Sequence, residues 1–243
     1  MTIWGFLFVL WPFFATAAPV ATPLASSGLG RVHLVELYSS ESCSSCPPAD
    51  AWISTLKDKP DLWKSFVPLV LHVDYWNHLG WKDGFSSAAM TKRQRDLSQT
   101  WRTHSVYTPA FVVDGKEWRG WQKGNGSFPD APITQIALSI FKNPDGTFRV
   151  SANGLVPSKH YVIHAALLGM DRSTNVGSGE NSGRQLNHNF VVLDWAEKVA
   201  KPGSPDPSFS LADKFHETGR LAISAWVEEV GSPVPLQSVG GYL

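Results

Sequence analysis

The stretch RVHLVELYSSESCSSCPPAD, Arg31 to Asp50, holds both cysteines of this 243-residue chain, Cys43 and Cys46. From Arg31 to Tyr38 the residues Val32, Leu34 and Tyr38 alternate with His33, Val35 and Leu37. Both sets are largely apolar, the pattern of a strand buried on its two faces. After the cysteines, Ala49, Trp52, Ile53 and Leu56 fall at helical spacing, and Lys59-Pro60 ends the run. A strand therefore passes through Cys-Ser-Ser-Cys into a helix. That setting reads as a redox dithiol: one helical turn brings the sulfurs within disulfide reach, and unpaired N–H groups at a helix start favour a thiolate. Cys43 would attack and Cys46 would resolve. A static Cys43–Cys46 disulfide and half of a metal site are the competing readings. Two cysteines exclude four-thiolate zinc.

Outward from this core, Phe66 to Tyr75 (FVPLVLHVDY) is a second apolar, β-branched run. Two strands flanking a helix predict a parallel βαβ unit, since an antiparallel pair needs no such crossover. Ser86 is placed to cap a second helix reaching about Trp101, with Met90, Leu97 and Trp101 on one side. Tyr107 to Gly115 (YTPAFVVDG) predicts a strand opened by Pro109 and turned back at Asp114-Gly115. Ile133, Ile136, Ala137, Ile140 and Phe141 predict an amphipathic helix stopped by Asn143-Pro144-Asp145-Gly146. Beyond it come short strand candidates near 147–153, 160–168, 188–194, 208–212 and 220–229, as expected for an antiparallel, sandwich-like β module. The glycine-rich Gly177–Gly183 segment lacks the Lys-Ser/Thr ending of a phosphate loop and reads as a surface loop.

At the N-terminus, Ile3 to Phe14 is almost uninterruptedly apolar and Ala15-Thr16-Ala17-Ala18 follows, a pattern that fits a secretory signal over residues 1–17 cleaved after Ala17. The apolar core is short for a spanning helix, so no stable membrane span is expected after cleavage, and the chain reads as exported, periplasmic or secreted. Disulfides persist in such a compartment. Basic and acidic residues balance at 21 each, which gives no electrostatic case for nucleic acid. Of 11 tryptophans, Trp52, Trp63, Trp76, Trp81, Trp101, Trp118 and Trp121 lie between the dithiol helix and residue 121. They read either as core packing or as an aromatic floor beside the dithiol.

Glu36 stands on the strand face of Val32, Leu34 and Tyr38; buried there, it would accept a proton from Cys46 as a mixed disulfide resolves. His72, Asp74, His78 and His104 are donors that could join the cysteines around copper or zinc, at a spacing that is not diagnostic.

Strand, dithiol helix, strand, helix, Thr-Pro hairpin and final helix: this order resembles the thioredoxin fold. The resemblance implies a cis bond at Thr108-Pro109, with Thr108 and Pro109 positioning a partner beside the dithiol, and an acid near Glu36. More narrowly, VELYSSESCSSCPPAD (Val35 to Asp50), HVDYWNHLGWKDGFSSAAMTKRQRDL (His72 to Leu97), VYTPAFVVDG (Val106 to Gly115) and GENSGRQLNHNFVV (Gly179 to Val192) resemble the secreted family known as domain of unknown function 1223. Asn77-His78 and Gly84 depart from that family's usual residues, while Trp76, Trp81 and Asp83 match. The implied fold class is α/β: a thioredoxin-like domain over residues 31–145 followed by a β-rich C-terminal portion over 146–243.

The function expected on these grounds is an exported thiol–disulfide oxidoreductase acting on protein thiols. Cys43, Cys46 and Glu36 would do the chemistry, with Thr108, Pro109, Trp76 and Trp81 at the substrate. No flavin or nucleotide motif is present, so no cofactor is expected and electrons would come from a partner protein. A binding module with a locked disulfide and a copper-handling protein are the alternatives.

Overall fold

The computed structural model describes residues 21–101, 104–123, 127–131, 133–216 and 219–243. The expected signal segment, residues 1–17, lies outside them. In chain order the first half contains β1 (Ala25–Ser26), β2 (His33–Ser39), α1 (Pro47–Ser54), β3 (Phe66–His72), α2 (Ala88–Ser98), β4 (Ala110–Val113) and β5 (Lys116–Glu117). There follow β6 (Ala137–Lys142), β7 (Phe148–Asn153), β8 (Tyr161–Gly169), β9 (Arg172–Asn175) and β10 (Gln185–His188). The last are β11 (Val191–Ala200), β12 (Ser208–Phe209), β13 (Leu221–Glu229) and β14 (Pro235–Tyr242).

The α/β fold class is overturned. Of the described residues 38% are strand and 14% helix. One eight-stranded sheet, in the order β14-β13-β8-β11-β3-β2-β4-β5, runs through both halves of the chain. The seam is the parallel pairing of β11 with β3, where Val191 meets Val70. The predicted parallel pair is present as β2 and β3, registered from His33 with Phe66 to Ser39 with His72. The predicted hairpin is β4–β5, and its turn residues Asp114 and Gly115 both take positive φ, 49° and 80°.

The helix expected over 133–141 is instead β6, paired with β7 and β1. Its apolar residues fit a helical stripe by coincidence. Burial follows period two, with Leu138 and Ile140 inside and Ala137, Ser139 and Phe141 half-exposed, while Ile133 stands 92% exposed. The predicted second helix is present, capped by Ser87 rather than Ser86: the Met90 N–H donates to Ser87 Oγ.

Alternation along β2 divides the core. Leu34 and Tyr38 face α2 together with Leu69, Leu71, Met90, Leu97 and Trp226. Val35 and Leu37 face α1 with Ala49, Ile53, Val70 and Phe111. On that second face a four-stranded sheet, β1-β6-β7-β12, also packs, closing a core of Leu138, Ile140, Val150, Ile163, Ile223 and Val239. Most of the first-half tryptophans serve packing. Trp52 and Trp118 meet edge-on to Phe111, Trp121 lies against the same ring, and Trp63 sits between Phe190 and Tyr242. No helix among the described residues is long and apolar enough to cross a membrane.

Candidate active site

The chain leaves β2 at Ser39 and turns twice before α1, with the Cys43 N–H donating to the Ser40 carbonyl and the Cys46 N–H to the Cys43 carbonyl. Cys46 is the N-cap residue, and prolines occupy the first two helical positions. Proline suits these positions because its missing N–H would be unpaired there anyway. The first free amides, of Ala49 and Asp50, both donate to the Cys46 carbonyl. The helix start therefore offers the sulfurs no spare N–H, contrary to the sequence expectation.

Both cysteines are free thiols. Cys46 is fully enclosed and Cys43 keeps 6% exposure. Cys43 Sγ lies 3.3 Å from Ser45 Oγ and 3.8 Å from the Thr108 carbonyl oxygen. A hydrogen bond from the Cys46 thiol lowers the Cys43 pKa most; burial opposes it, and the Ser45 hydroxyl, Thr108 and the Ser45 amide add to the lowering, leaving it at about 6. Burial, the bond to Cys43, and the charges of Cys43 and Asp50 push the Cys46 thiol far above the ordinary range. The pair thus holds one shared proton, on Cys46.

The Thr108-Pro109 bond is cis. The Trp76 indole N–H donates to Thr108 Oγ1 at 2.7 Å, which leaves the threonine's own proton free to point at sulfur. Thr108, Pro109 and Trp76 thus stand with the dithiol. Trp81 stands behind it: its indole N–H donates to the buried Glu41 carboxylate at 2.8 Å, and its Cβ packs against Gly179. Gly179 has φ +76°, and a side chain there would meet the Leu79 carbonyl at 3.0 Å and Trp81 Cβ at 3.2 Å.

Glu36 is not beside the dithiol. It lies on the α2 face of the sheet, whereas α1 covers the other face. Its Oε1 accepts from Arg93 Nε at 2.6 Å and from the Tyr38 hydroxyl at 2.9 Å. Arg93 also donates to Glu228, which receives His164 and the Trp226 indole. This buried network floors a cavity of about 780 Å³ between α2 and β8, β11 and β13, away from the cysteines. Strand alternation groups Glu36 with Leu34 and Tyr38 as expected, but α1 packs on the opposite face of the sheet, with Val35 and Leu37.

The carboxyl that does belong to the dithiol is Asp50, four residues past Cys46 on α1. It is buried, its Oδ2 accepts from Ser39 Oγ at 3.0 Å, and its Oδ1 has no partner. Burial raises its pKa, against the lowering influence of His72, His188 and Ser39. Next to it, His72 Nδ1 pairs with Asp83 Oδ2 at 2.7 Å, and His188 Nε2 with Glu41 Oε1 at 3.1 Å. Of the other proposed metal donors, Asp74 accepts from Thr91 Oγ1, and His78 and His104 are exposed. Among the described residues no three His, Cys, Asp or Glu side chains are grouped so as to hold a metal ion.

The Gly177–Gly183 segment is more than a surface loop. Asn181 is buried, and its side-chain amide donates to the carbonyls of both Glu41 and Cys43, at 2.8 and 3.0 Å. The exposed Glu180 carboxylate accepts from the Ser44 N–H at 3.0 Å. A segment far along the chain thus clamps the dithiol loop. Asp50 could have been found from the Cys46 + 4 spacing, which puts both on one face of a helix. Asn181 and His188 carry no local signal, because only the later β9–β10–β11 part of the chain brings them in, whereas Glu41 stands two residues before Cys43 and was open to the same local reading as Asp50.

A search among curated proteins finds no match. Among solved structures, protein AGR_C_4864 from Agrobacterium tumefaciens superposes with a TM-score of 0.59 at 22% identity, covering 88% of this chain and 94% of that one. HBP35 of Porphyromonas gingivalis gives 0.49 at 14% identity, covering 89% and 76%. The first likeness shows a shared fold and no more. A family model described as protein of unknown function (DUF1223) matches residues 34–228, a span that includes the dithiol loop, both histidine–carboxylate pairs and the Asn181 clamp, and the chain belongs to that family.

Proposed function

We propose that the protein is a thiol–disulfide oxidoreductase acting on protein substrates in an exported compartment. The observation that carries this reading is the asymmetry of the two thiols: Cys43 reaches the surface and ionises near pH 6, while Cys46 is enclosed and keeps its proton. A structural disulfide needs no such difference, whereas an attacking and a resolving thiol do. Cys43 thiolate attacks one sulfur of a substrate disulfide; a Cys43–substrate bond forms and the other substrate sulfur leaves as thiolate. Cys46 then gives its proton to the nearby carboxylate of Asp50, attacks Cys43 Sγ, and expels the second substrate thiolate. Two electrons pass to the substrate, and Cys43–Cys46 is left as a disulfide for a partner dithiol to reduce; the steps run equally in reverse. The Thr108 carbonyl and hydroxyl and the face of Trp76 form the bed on which the substrate segment lies. The apolar N-terminal run supports export.

The test is Cys46→Ser, incubated with a peptide disulfide. We expect a stable mixed disulfide at Cys43 that the wild type does not accumulate. A variant that forms no adduct, with a wild type that exchanges no disulfide, would leave the dithiol a structural element.

A further inference from the structure

Behind Cys46 lies a closed layer of five titratable side chains drawn from four parts of the chain. Asp50 comes from α1, Glu41 from the loop before it, His72 and Asp83 from the end of β3 and the segment after it, and His188 from the end of β10. Their exposures are 7%, 1%, 0%, 1% and 2%. The two imidazoles meet edge to face with centroids 5.0 Å apart, and Phe85 closes the layer against both rings. Each imidazole is anchored by one nitrogen on a carboxylate, which accepts only; that nitrogen carries the proton. The other nitrogens, His72 Nε2 and His188 Nδ1, have no partner, and neither does Asp50 Oδ1. Three unpaired buried polar atoms in one layer each destabilise the fold, because none regains the hydrogen bonds it gives up to water. A fold under no functional demand would fill this space with apolar side chains.

The anchors are themselves held. Asp83 Oδ2 accepts the Glu41 N–H at 2.8 Å and its Oδ1 the Phe85 N–H at 2.9 Å, so its charge is fixed beside His72. Glu41 is held by the Trp81 indole and by Asn181, which grips its carbonyl. Burial works against a charge on His72, but the Asp83 carboxylate outweighs it and holds the imidazolium up to about pH 9. Both histidines in turn act on Asp50, opposing the burial that would otherwise keep it protonated. A protonated Asp50 cannot take a proton from Cys46.

We propose that His72 and His188, fixed by Asp83 and Glu41, are positioning residues that keep the buried Asp50 ionised, so that Cys46 can hand it a proton and resolve the mixed disulfide at neutral and mildly acidic pH. The groups that act on Asp50 are Cys46 on its own helix, Ser39 from β2, His72 and Asp83 from the β3 side, and His188 from β10; Glu41 bonds His188 and acts on His72. His72 is the cationic member that makes a second carboxylate charge tolerable next to Asp83 and Glu41, and His188 adds to the lowering of Asp50 from the β10 side. Trp81 and Asn181, which touch no substrate in this scheme, act by holding Glu41.

This rests on the oxidoreductase reading, and the experiment separates the two. Cys43 is loaded with thionitrobenzoate, and its release by Cys46 is followed by absorbance across pH 4–10 in wild type, His72→Gln, His188→Gln and Asp50→Asn. In the histidine variants we expect the acid limb of the resolution rate to move upward by about one pH unit, so that below the midpoint release is about tenfold slower. Loading of Cys43 should keep its own midpoint. Asp50→Asn should resolve slowly and lose that limb. Unchanged limbs in histidine variants that remain folded would overturn the inference while leaving the oxidoreductase reading intact; a wild type that never releases the label would overturn the reading itself. If the histidine variants do not fold, ¹⁵N shifts of the ring nitrogens in the native reduced protein decide. His72 should carry protons on both nitrogens at pH 7 and lose one near pH 9, and a neutral His72 at pH 7 would overturn the inference.

Discussion

Ser45→Ala isolates the environment of the attacking sulfur. Ser45 is exposed and Cys43 Sγ lies 3.3 Å from its hydroxyl, so the substitution removes one donor without opening the core. Hydrogen bonds to charged groups are worth about 1.5–3 kcal/mol. Water replaces part of this at an exposed position, so about 1.4 kcal/mol, equivalent to one pH unit, is a fair expectation. The midpoint of Cys43 alkylation, near 6 in the native chain, should move to about 7. A rate at a single pH would miss this. At pH 6.5 the thiolate fraction falls about threefold, but a thiolate of higher pKa is intrinsically more nucleophilic, with a Brønsted slope of about 0.4–0.5, which recovers about the same factor. The full pH profile of iodoacetamide alkylation separates the two effects: the midpoint rises and the plateau above it rises about threefold. A variant with the native midpoint would refute the assignment of Ser45 as a thiolate donor.

Glu36→Gln should leave mixed-disulfide resolution unchanged and lower stability by about 3 kcal/mol, the low end for breaking a buried ion pair because Glu228 still faces Arg93. Chemical denaturation and the label-release assay read the two outcomes, and slowed resolution in a stable variant would return Glu36 to the site. Asn181→Ala removes two hydrogen bonds to the dithiol loop, about 2 kcal/mol in all; we expect hydrogen exchange at Ser44–Cys46 to quicken and Cys46 to become reactive to alkylation, and unaltered Cys46 protection would contradict the clamp. His72, whose proton affinity is raised in the folded state, contributes stability that is fully present below about pH 6.5 and is lost as pH rises through about 9. The melting temperature of reduced protein should therefore decline across that window, and the decline should be absent in His72→Gln.

Which parts of this were legible in the sequence follows from the range of the interactions involved. The β2–Cys43–Cys46–α1 passage, the parallel partner β3 and the Asp114-Gly115 turn are dictated by neighbours within a few residues, and each is present. The segment 133–141 failed because five apolar residues fit both periods, and pairing with β7 and β1 decides for strand. The fold class failed for a larger reason of the same kind. Nothing in β3 or β11 announces that Val70 will pair with Val191, yet that one seam merges the two halves into a single sheet. The same seam brings His188 and Asn181 to the dithiol. Glu36 was misplaced because strand alternation fixes which residues share a face but not which face a helix will cover; Asp50, on the dithiol helix itself, needed no such choice.

The reduction potential of the Cys43–Cys46 pair, measured by equilibration with glutathione buffers and quantified by mass spectrometry, tests the central claim most directly. Stabilisation of the Cys43 thiolate favours the dithiol form, so we expect a value of about −120 to −270 mV, the range of catalytic couples. A potential below about −300 mV would mark a structural disulfide and contradict the oxidoreductase reading.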